Sequence, residues 1–254
     1  MKFEDVPVLI LCGGLGTRLR SVLSDSPKIL APIGDKLFID FLFSELKKQG
    51  VRKVILALGY KAEKVQTYLN AKSYEGMNIS IVVEGTPLGT AGAIRNVIAQ
   101  FSELPNRLIV MNGDTFISVN LKHFLNECSA NKAEIGIVAT QVDDCRRYGE
   151  LVLSEQSRVL SFSEKQSNNT CRGSINASPS KGWINGGVYL FGSSALSLLK
   201  NDTTASLETS FIPGVLKDLF VFSFKNSSAF LDIGTPESFE YANEHSKSFE
   251  RLML

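Results

Sequence analysis

The amino-acid sequence predicts an α/β fold, a mixed and mostly parallel sheet with helices on both faces. Three observations lead there. Nearly unbroken apolar runs alternate with helix-like segments through the first half, as strands buried on both faces do when helices join them. A glycine-rich loop directly follows the first apolar run. At 254 residues, 44% hydrophobic and 21% charged, the chain can bury one sizeable core.

Residues 8–12 (VLILC) read as the first strand. Lys2 before an apolar stretch suggests a signal peptide, but Glu4 and Asp5 interrupt it and Pro7 and the glycines break it, so a buried strand is the better reading. The spacing predicts a helix over 38–49, with Gly50 suited to its C-terminal cap. A strand at 53–58 (KVILAL), a helix at 62–69, a strand at 79–83, a helix at 92–101 and a strand at 108–111 (LIVM) follow. The second half is less regular. It offers a strand over 134–142, a hairpin from 150–153 and 159–162, a strand over 183–191, short strands at 219–224 and 229–231, and a terminal helix from about Thr235. Between them, 163–181 is rich in Ser, Asn and Gly and reads as an excursion over the sheet.

The formal net charge is +1, from 27 Lys and Arg against 26 Asp and Glu. Nothing in that balance argues for nucleic acid or a membrane as partner, and no apolar stretch is long enough to span a bilayer. Any anion binding must come from a local site. The four cysteines, Cys12, Cys128, Cys145 and Cys171, form no C-x-x-C pair and have no histidine cluster beside them. A zinc site or disulfide framework is not expected, and a reducing cytoplasm fits. The composition leaves monomer and homo-oligomer both open.

The glycine loop runs from Leu11 through Gly13, Gly14, Gly16, Thr17 and Arg18. Glycines after a strand let backbone N–H groups approach a phosphate closely, and Arg18 adds a forked cation. A P-loop would need Lys and Ser/Thr after Gly16, where Thr17 and Arg18 stand. A dinucleotide fingerprint would need Gly or Ala at Leu19. On the glycines alone, a tight turn with a solvated arginine fits equally well.

The longer pattern is more specific. Gly-Gly-x-Gly-Thr-Arg, eight intervening residues, and then Pro27-Lys28 resembles the signature of the sugar-phosphate nucleotidyltransferases. These enzymes join a nucleoside triphosphate and a sugar 1-phosphate into a nucleotide-diphosphate sugar. The resemblance implies the Rossmann-like nucleotide-diphospho-sugar transferase fold. It also implies that the loop wraps the triphosphate, with Arg18 at the departing pyrophosphate and Lys28 by the phosphates.

Asn112-Gly113-Asp114-Thr115 ends the fourth strand, where open α/β sheets bind ligands. Phosphoryl chemistry needs cations, and Mg2+ takes one or two carboxylates with phosphate and water oxygens. Asp114 is a candidate ligand, against the plainer role of stabilising a turn. Asp232, in the run 232–237 (DIGTPE), is the second. It could instead cap a helix, although Thr235 before Pro236 suits that place better. The family draws its metal ligands from these two motifs.

Residues 84–93 (EGTPLGTAGA) resemble the family's base-recognition segment, which implies nucleotide-binding roles for Pro87, Gly89 and Thr90, with Glu84 at the base edge. Guanine offers two adjacent N–H donors and a carboxylate can accept both. Glu84 therefore favours GTP over the pyrimidine nucleotides. For the sugar, the matching pieces are Arg147-Tyr148-Gly149, Phe162-Ser163-Glu164-Lys165 and Asn185-Gly186-Gly187-Val188-Tyr189. The resemblance implies sugar contacts at Gly149, Glu164, Asn185 and Gly186, and a catalytic Lys165 at the sugar phosphate. Gln166 stands where many members have Pro, and the polar segment 166–182 follows. The pieces RYG, NGDT, INGG and DIGTPE are similar to a branch that guanylylates a heptose 1-phosphate for bacterial surface glycans. Mannose or glucose 1-phosphate as the acceptor, or a silent nucleotide-sugar sensor, are the competing readings. No repeat or linker divides the chain, which points to one domain over 1–254, its nucleotide half spanning about 1–115 and its sugar half about 116–254.

Overall fold

A computed structural model describes residues 2–19, 22–23, 25–145, 148–163 and 181–248. In chain order, β1 (Val8–Cys12) precedes a small ribbon, β2 (Pro32–Ile33) and β3 (Lys36–Leu37), and helix α1 (Phe38–Lys48). Next come β4 (Lys53–Leu58), α2 (Ala62–Asn70), β5 (Asn78–Val83), α3 (Gly89–Ile98), β6 (Arg107–Asn112), β7 (Thr115–Ile117) and α4 (Leu121–Ala130). The remainder is β8 (Ile135–Val142), β9 (Glu150–Leu153), β10 (Val159–Ser163), β11 (Gly182–Gly192), α5 (Ser193–Asn201), a π-helical turn (Leu207–Phe211), α6 (Ile212–Val215), β12 (Val221–Asn226), β13 (Phe230–Asp232) and α7 (Pro236–Glu244).

The central sheet is mixed, as expected. β5, β4, β1 and β6 lie side by side and parallel. Beyond β6 the sheet turns antiparallel through β11, which pairs next with β8, and β12 lies parallel to β8. The β9–β10 hairpin joins the N-terminal end of β11. The chain builds from β1 outward to β5 and then returns to place β6 on the other flank of β1. That reversal leaves a crevice at the C-terminal ends of β1 and β6.

Strand alternation divides the core into two layers. Val8 and Ile10 of β1, Ile109 and Met111 of β6, and Val188 and Leu190 of β11 pack with α1, α2, α4 and α7. Leu9, Leu108, Val110, Tyr189 and Phe191 point the other way, against α3, α5 and α6. Strands carrying apolar residues at successive positions are what a sheet covered on both faces requires.

Helix ends follow local chemistry. Gly50, at φ +78, closes α1, with Val51 N–H donating to Leu46 O and Gly50 N–H to Lys47 O, a Schellman closure. Thr235 caps α7, its hydroxyl accepting from Ser238 N–H, with Pro236 in the first turn, so Asp232 is not the cap. Helix α3 starts three residues before the expected 92–101, because Ala91 N–H docks on Ala205 O at 2.9 Å. Helices α4 and α5 add to the elements read from the sequence. Asn120 caps α4, and Leu121, Phe124, Leu125 and Cys128 form its buried stripe.

Candidate active site

Four parallel strands end on one edge of the sheet, and their last residues build the site. β1 delivers Gly13, β4 delivers Gly59, β5 delivers Glu84, and β6 delivers Asn112, Gly113 and Asp114. A cavity of about 300 Å3 opens there. Of the residues expected at the nucleotide, Leu11, Gly13, Gly14, Glu84, Pro87, Gly89, Thr90, Asn112 and Gly113 line it, together with Lys28 and Asp114.

Glu84 lies flat against backbone. A Cβ on Gly13 would collide with its Oε1, and one on Gly59 would come within 2.6 Å of the same oxygen. Leu88 N–H donates to Oε2 at 3.3 Å. Burial raises the Glu84 pKa above the ordinary glutamate range, and the Leu88 N–H offsets part of that shift.

Gly16 sits over the Lys28 side chain, beside a smaller recess lined by Gly14, Gly16, Lys28 and Tyr60. Thr17 and Arg18 stand on a single 3-10 turn, Thr17–Leu19, anchored by the buried Leu19. Lys28 Nζ binds Asp114 Oδ2 at 2.7 Å, with the two side chains 17% and 29% exposed. This is an ion pair at the rim of the cavity rather than in open solvent.

Asp232 arrives from the far end of the chain. β13 pairs antiparallel with β7, opposing Asp232 to Thr115, and Ile233 N–H donates to Asp114 O at 2.9 Å. The two expected metal ligands are thereby neighbours. Burial raises the Asp232 pKa, and the charge of Asp114 raises it further. The Gly234 N–H, 2.7 Å from Oδ1, works the other way, as do Lys28 and Arg18. Cys12 also borders the cavity, but burial first and Asp114 second push its thiol well above the ordinary range. It is a neutral wall residue.

Of the residues expected at the sugar, Asn185 N–H donates to Gly149 O at 3.0 Å, and Gly186 packs against Ile117 and the Val138 carbonyl. Arg147, Glu164 and Lys165 lie outside the described residues, as do Cys171 and most of the polar segment. The structure adds one residue that the sequence did not single out, Glu208, and ties it to Tyr189 of the third sugar segment. Glu208 accepts hydrogen bonds from Thr90 Oγ1 at 2.7 Å and from Tyr189 OH at 3.2 Å, and Tyr189 OH accepts from Asn185 Nδ2 at 2.6 Å. No local pattern marks Glu208, because its partners come from α3 and β11.

Such a cradle, glycine loop and carboxylate pair on this sheet define a nucleotidyl-transfer enzyme. The chain belongs to the nucleotidyl transferase family, whose model matches residues 7–248. It is 37% identical over 231 residues to the D-glycero-alpha-D-manno-heptose 1-phosphate guanylyltransferase of Campylobacter jejuni, covering 91% of this chain and 96% of that one. The enzyme of the same name from Aneurinibacillus thermoaerophilus is 34% identical over 241 residues, covering 95% and 98%. The crystal structure of HddC from Yersinia pseudotuberculosis superposes with a TM-score of 0.80 at 32% identity, covering 95% of this chain and 99% of that one. HddC complexed with GMP-PN superposes with a TM-score of 0.79.

Proposed function

We propose that this chain transfers GMP from GTP to D-glycero-α-D-manno-heptose 1-phosphate. A phosphate oxygen of the sugar attacks the α-phosphorus in line, the α–β P–O bond breaks, and pyrophosphate and GDP-heptose leave. The nucleophile is already an anion, so the protein needs no general base. Its work is positioning and charge neutralisation. The observation that supports this reading is the cavity lined by Glu84, Gly13, Gly14, Lys28 and Asp114, with Asp232 reached from Asp114 across the β7–β13 ribbon. Similarity to the two heptose 1-phosphate guanylyltransferases supports the acceptor.

Within that reading, Glu84 accepts the two adjacent guanine donors, backbone N–H groups of 13–16 hold the phosphates, and Arg18 and Lys28 neutralise them. Asp114 and Asp232 would hold Mg2+. The fit is chemical: two carboxylates adjoin, and oxygen donors are what Mg2+ takes. Among the described residues no group of three or more His, Cys, Asp or Glu could hold a metal by itself, and Mg2+ is commonly completed by phosphate and water oxygens. When bound, Mg2+ stabilises the charge that develops on the reacting phosphates. Lys165 completes the sugar-phosphate contacts, and Gly149, Glu164, Asn185 and Gly186 those to the sugar. Free thiols at Cys12 and Cys128 fit a cytoplasmic setting.

The test is pyrophosphate release with Mg2+, crossing GTP, dTTP, UTP and CTP with heptose, mannose and glucose 1-phosphates. Turnover should be fastest with GTP and the heptose phosphate. A clear preference for a pyrimidine nucleotide would remove the Glu84 assignment, and preference for another sugar would remove the acceptor.

A further inference from the structure

Residues 204–208 cross the N-terminal turn of α3. Arg95 Nη1 donates to Thr204 O at 2.6 Å, Ala91 N–H to Ala205 O at 2.9 Å, and Leu207 N–H to Thr90 Oγ1 at 2.9 Å. Gly89, at φ +73, lies so close that a Cβ there would collide with Ala205 O. The strap ends on Glu208, whose carboxylate is the meeting point of three hydroxyls. Thr90 and Ser206 donate to Oε2 at 2.7 and 3.1 Å, and Tyr189 donates to Oε1 at 3.2 Å.

An ionised carboxylate only accepts, and each hydroxyl has one proton to give. Tyr189, fully buried, gives its proton to Glu208, so its oxygen must accept. Asn185 therefore presents its NH2 to Tyr189 at 2.6 Å and turns Oδ1 to the Gly187 N–H at 3.1 Å. Asn185 is thereby held in one amide orientation, with its second N–H and one Oδ1 lone pair still to offer. Thr90 also gives its proton to Glu208 and accepts from Leu207, so toward the cavity it can only accept.

We propose that Glu208 is a positioning residue for both substrates: it leaves Thr90 acceptor-only on the nucleotide wall and, through Tyr189, holds the Asn185 amide in one orientation on the sugar wall. Glu208 touches neither substrate in this account. It acts through Thr90 in one direction and through Tyr189 in the other, and the inference rests on the substrate placements of the preceding section. It follows that the nucleotide group facing Thr90 is a donor, such as a ribose hydroxyl.

The experiment measures both KM values in wild type, Glu208→Ala, Tyr189→Phe and the double variant, with melting curves as the folding control. Glu208→Ala should raise the KM for GTP and for the heptose phosphate about tenfold each, with a smaller change in kcat. Tyr189→Phe should raise the sugar-phosphate KM alone. The double variant should be no worse toward the sugar phosphate than Glu208→Ala, because both changes cut one chain of bonds. Unchanged KM values in a folded Glu208→Ala protein, or effects that multiply in the double variant, would overturn the proposal. Should Glu208→Ala fail to fold, Glu208→Gln keeps the volume, but its NH2 must oppose a donor on one branch. At least one KM should then rise, and two unchanged values would overturn the proposal as well. If the wild type fails to turn over the heptose phosphate, the acceptor assignment falls by itself. Calorimetric binding of the preferred nucleoside triphosphate to Glu208→Ala would still decide the Thr90 branch: weaker binding supports it and equal binding refutes it.

Discussion

The two halves of the molecule build binding surface by different means. In the first, four adjacent parallel strands end at one edge, and each contributes the residues just beyond its end: Gly13, Gly59, Glu84 and Asn112–Asp114. In the second, the sheet runs antiparallel through β11, and the groups that matter come from places far apart in sequence, Asn185 and Tyr189 on one strand, Glu208 on a π turn and Asp232 on a ribbon. A parallel array makes a site from short loops of the same geometry. An antiparallel one has no common edge and depends on long-range contacts to bring its groups in.

The largest expected effect tests where the halves meet. Asp114→Asn and Asp232→Asn should each lower kcat by about a hundredfold or more, since lost charge stabilisation is worth several kcal/mol and every 1.36 kcal/mol is tenfold. Circular dichroism should show the fold intact. A near-normal rate for Asp232→Asn would confine the metal chemistry to the first half and end the comparison at Asp114.

Next in size is the base. Glu84→Gln should narrow the preference for GTP over UTP by about tenfold to a hundredfold in kcat/KM, because the amide places a donor against a guanine donor. An undiminished preference would show that the base is read from elsewhere. The same carboxylate predicts a pH effect. Its raised pKa means that protonation begins at a higher pH than for an exposed glutamate, and a protonated carboxyl cannot accept both donors. The KM for GTP should rise as pH falls, starting above the ordinary glutamate range, whereas the Glu84→Gln variant should show a flatter profile.

The smallest effect concerns stability in the second half. Thr235→Ala removes the hydroxyl that caps α7 and should cost about 1 kcal/mol in urea unfolding. Little change in turnover is expected, because the cap lies beyond the ribbon that holds Asp232.

What could be read in advance follows the same division. β1, β4 and β6 carry apolar residues at successive positions, and their shortness, β-branched content and flanking glycines mark them as doubly covered strands rather than buried helix. The glycine loop, Asp114 and Glu84 lie immediately after such runs, so their place at the sheet edge came with the strands. Helix α4 was legible in principle, through Asn120 and the spacing of Leu121, Phe124, Leu125 and Cys128. The partnership of Asp232 with Asp114 was legible only through family motifs, because no local preference dictates that β13 pairs with β7. Glu208 carried no signal at all: a glutamate between Leu207 and Thr209 becomes a hub only when Thr90 and Tyr189 are folded against it.

The β7–β13 ribbon also imposes an order in time. A ribosome adds roughly 5–20 residues per second, so Asp114 emerges on the order of ten seconds before its partner carboxylate. During that interval β1, β4, β5 and β6 have all been synthesised. The nascent chain therefore has the strands that end at the cavity before it has both carboxylates, and the last strand to arrive is the one that completes the pair.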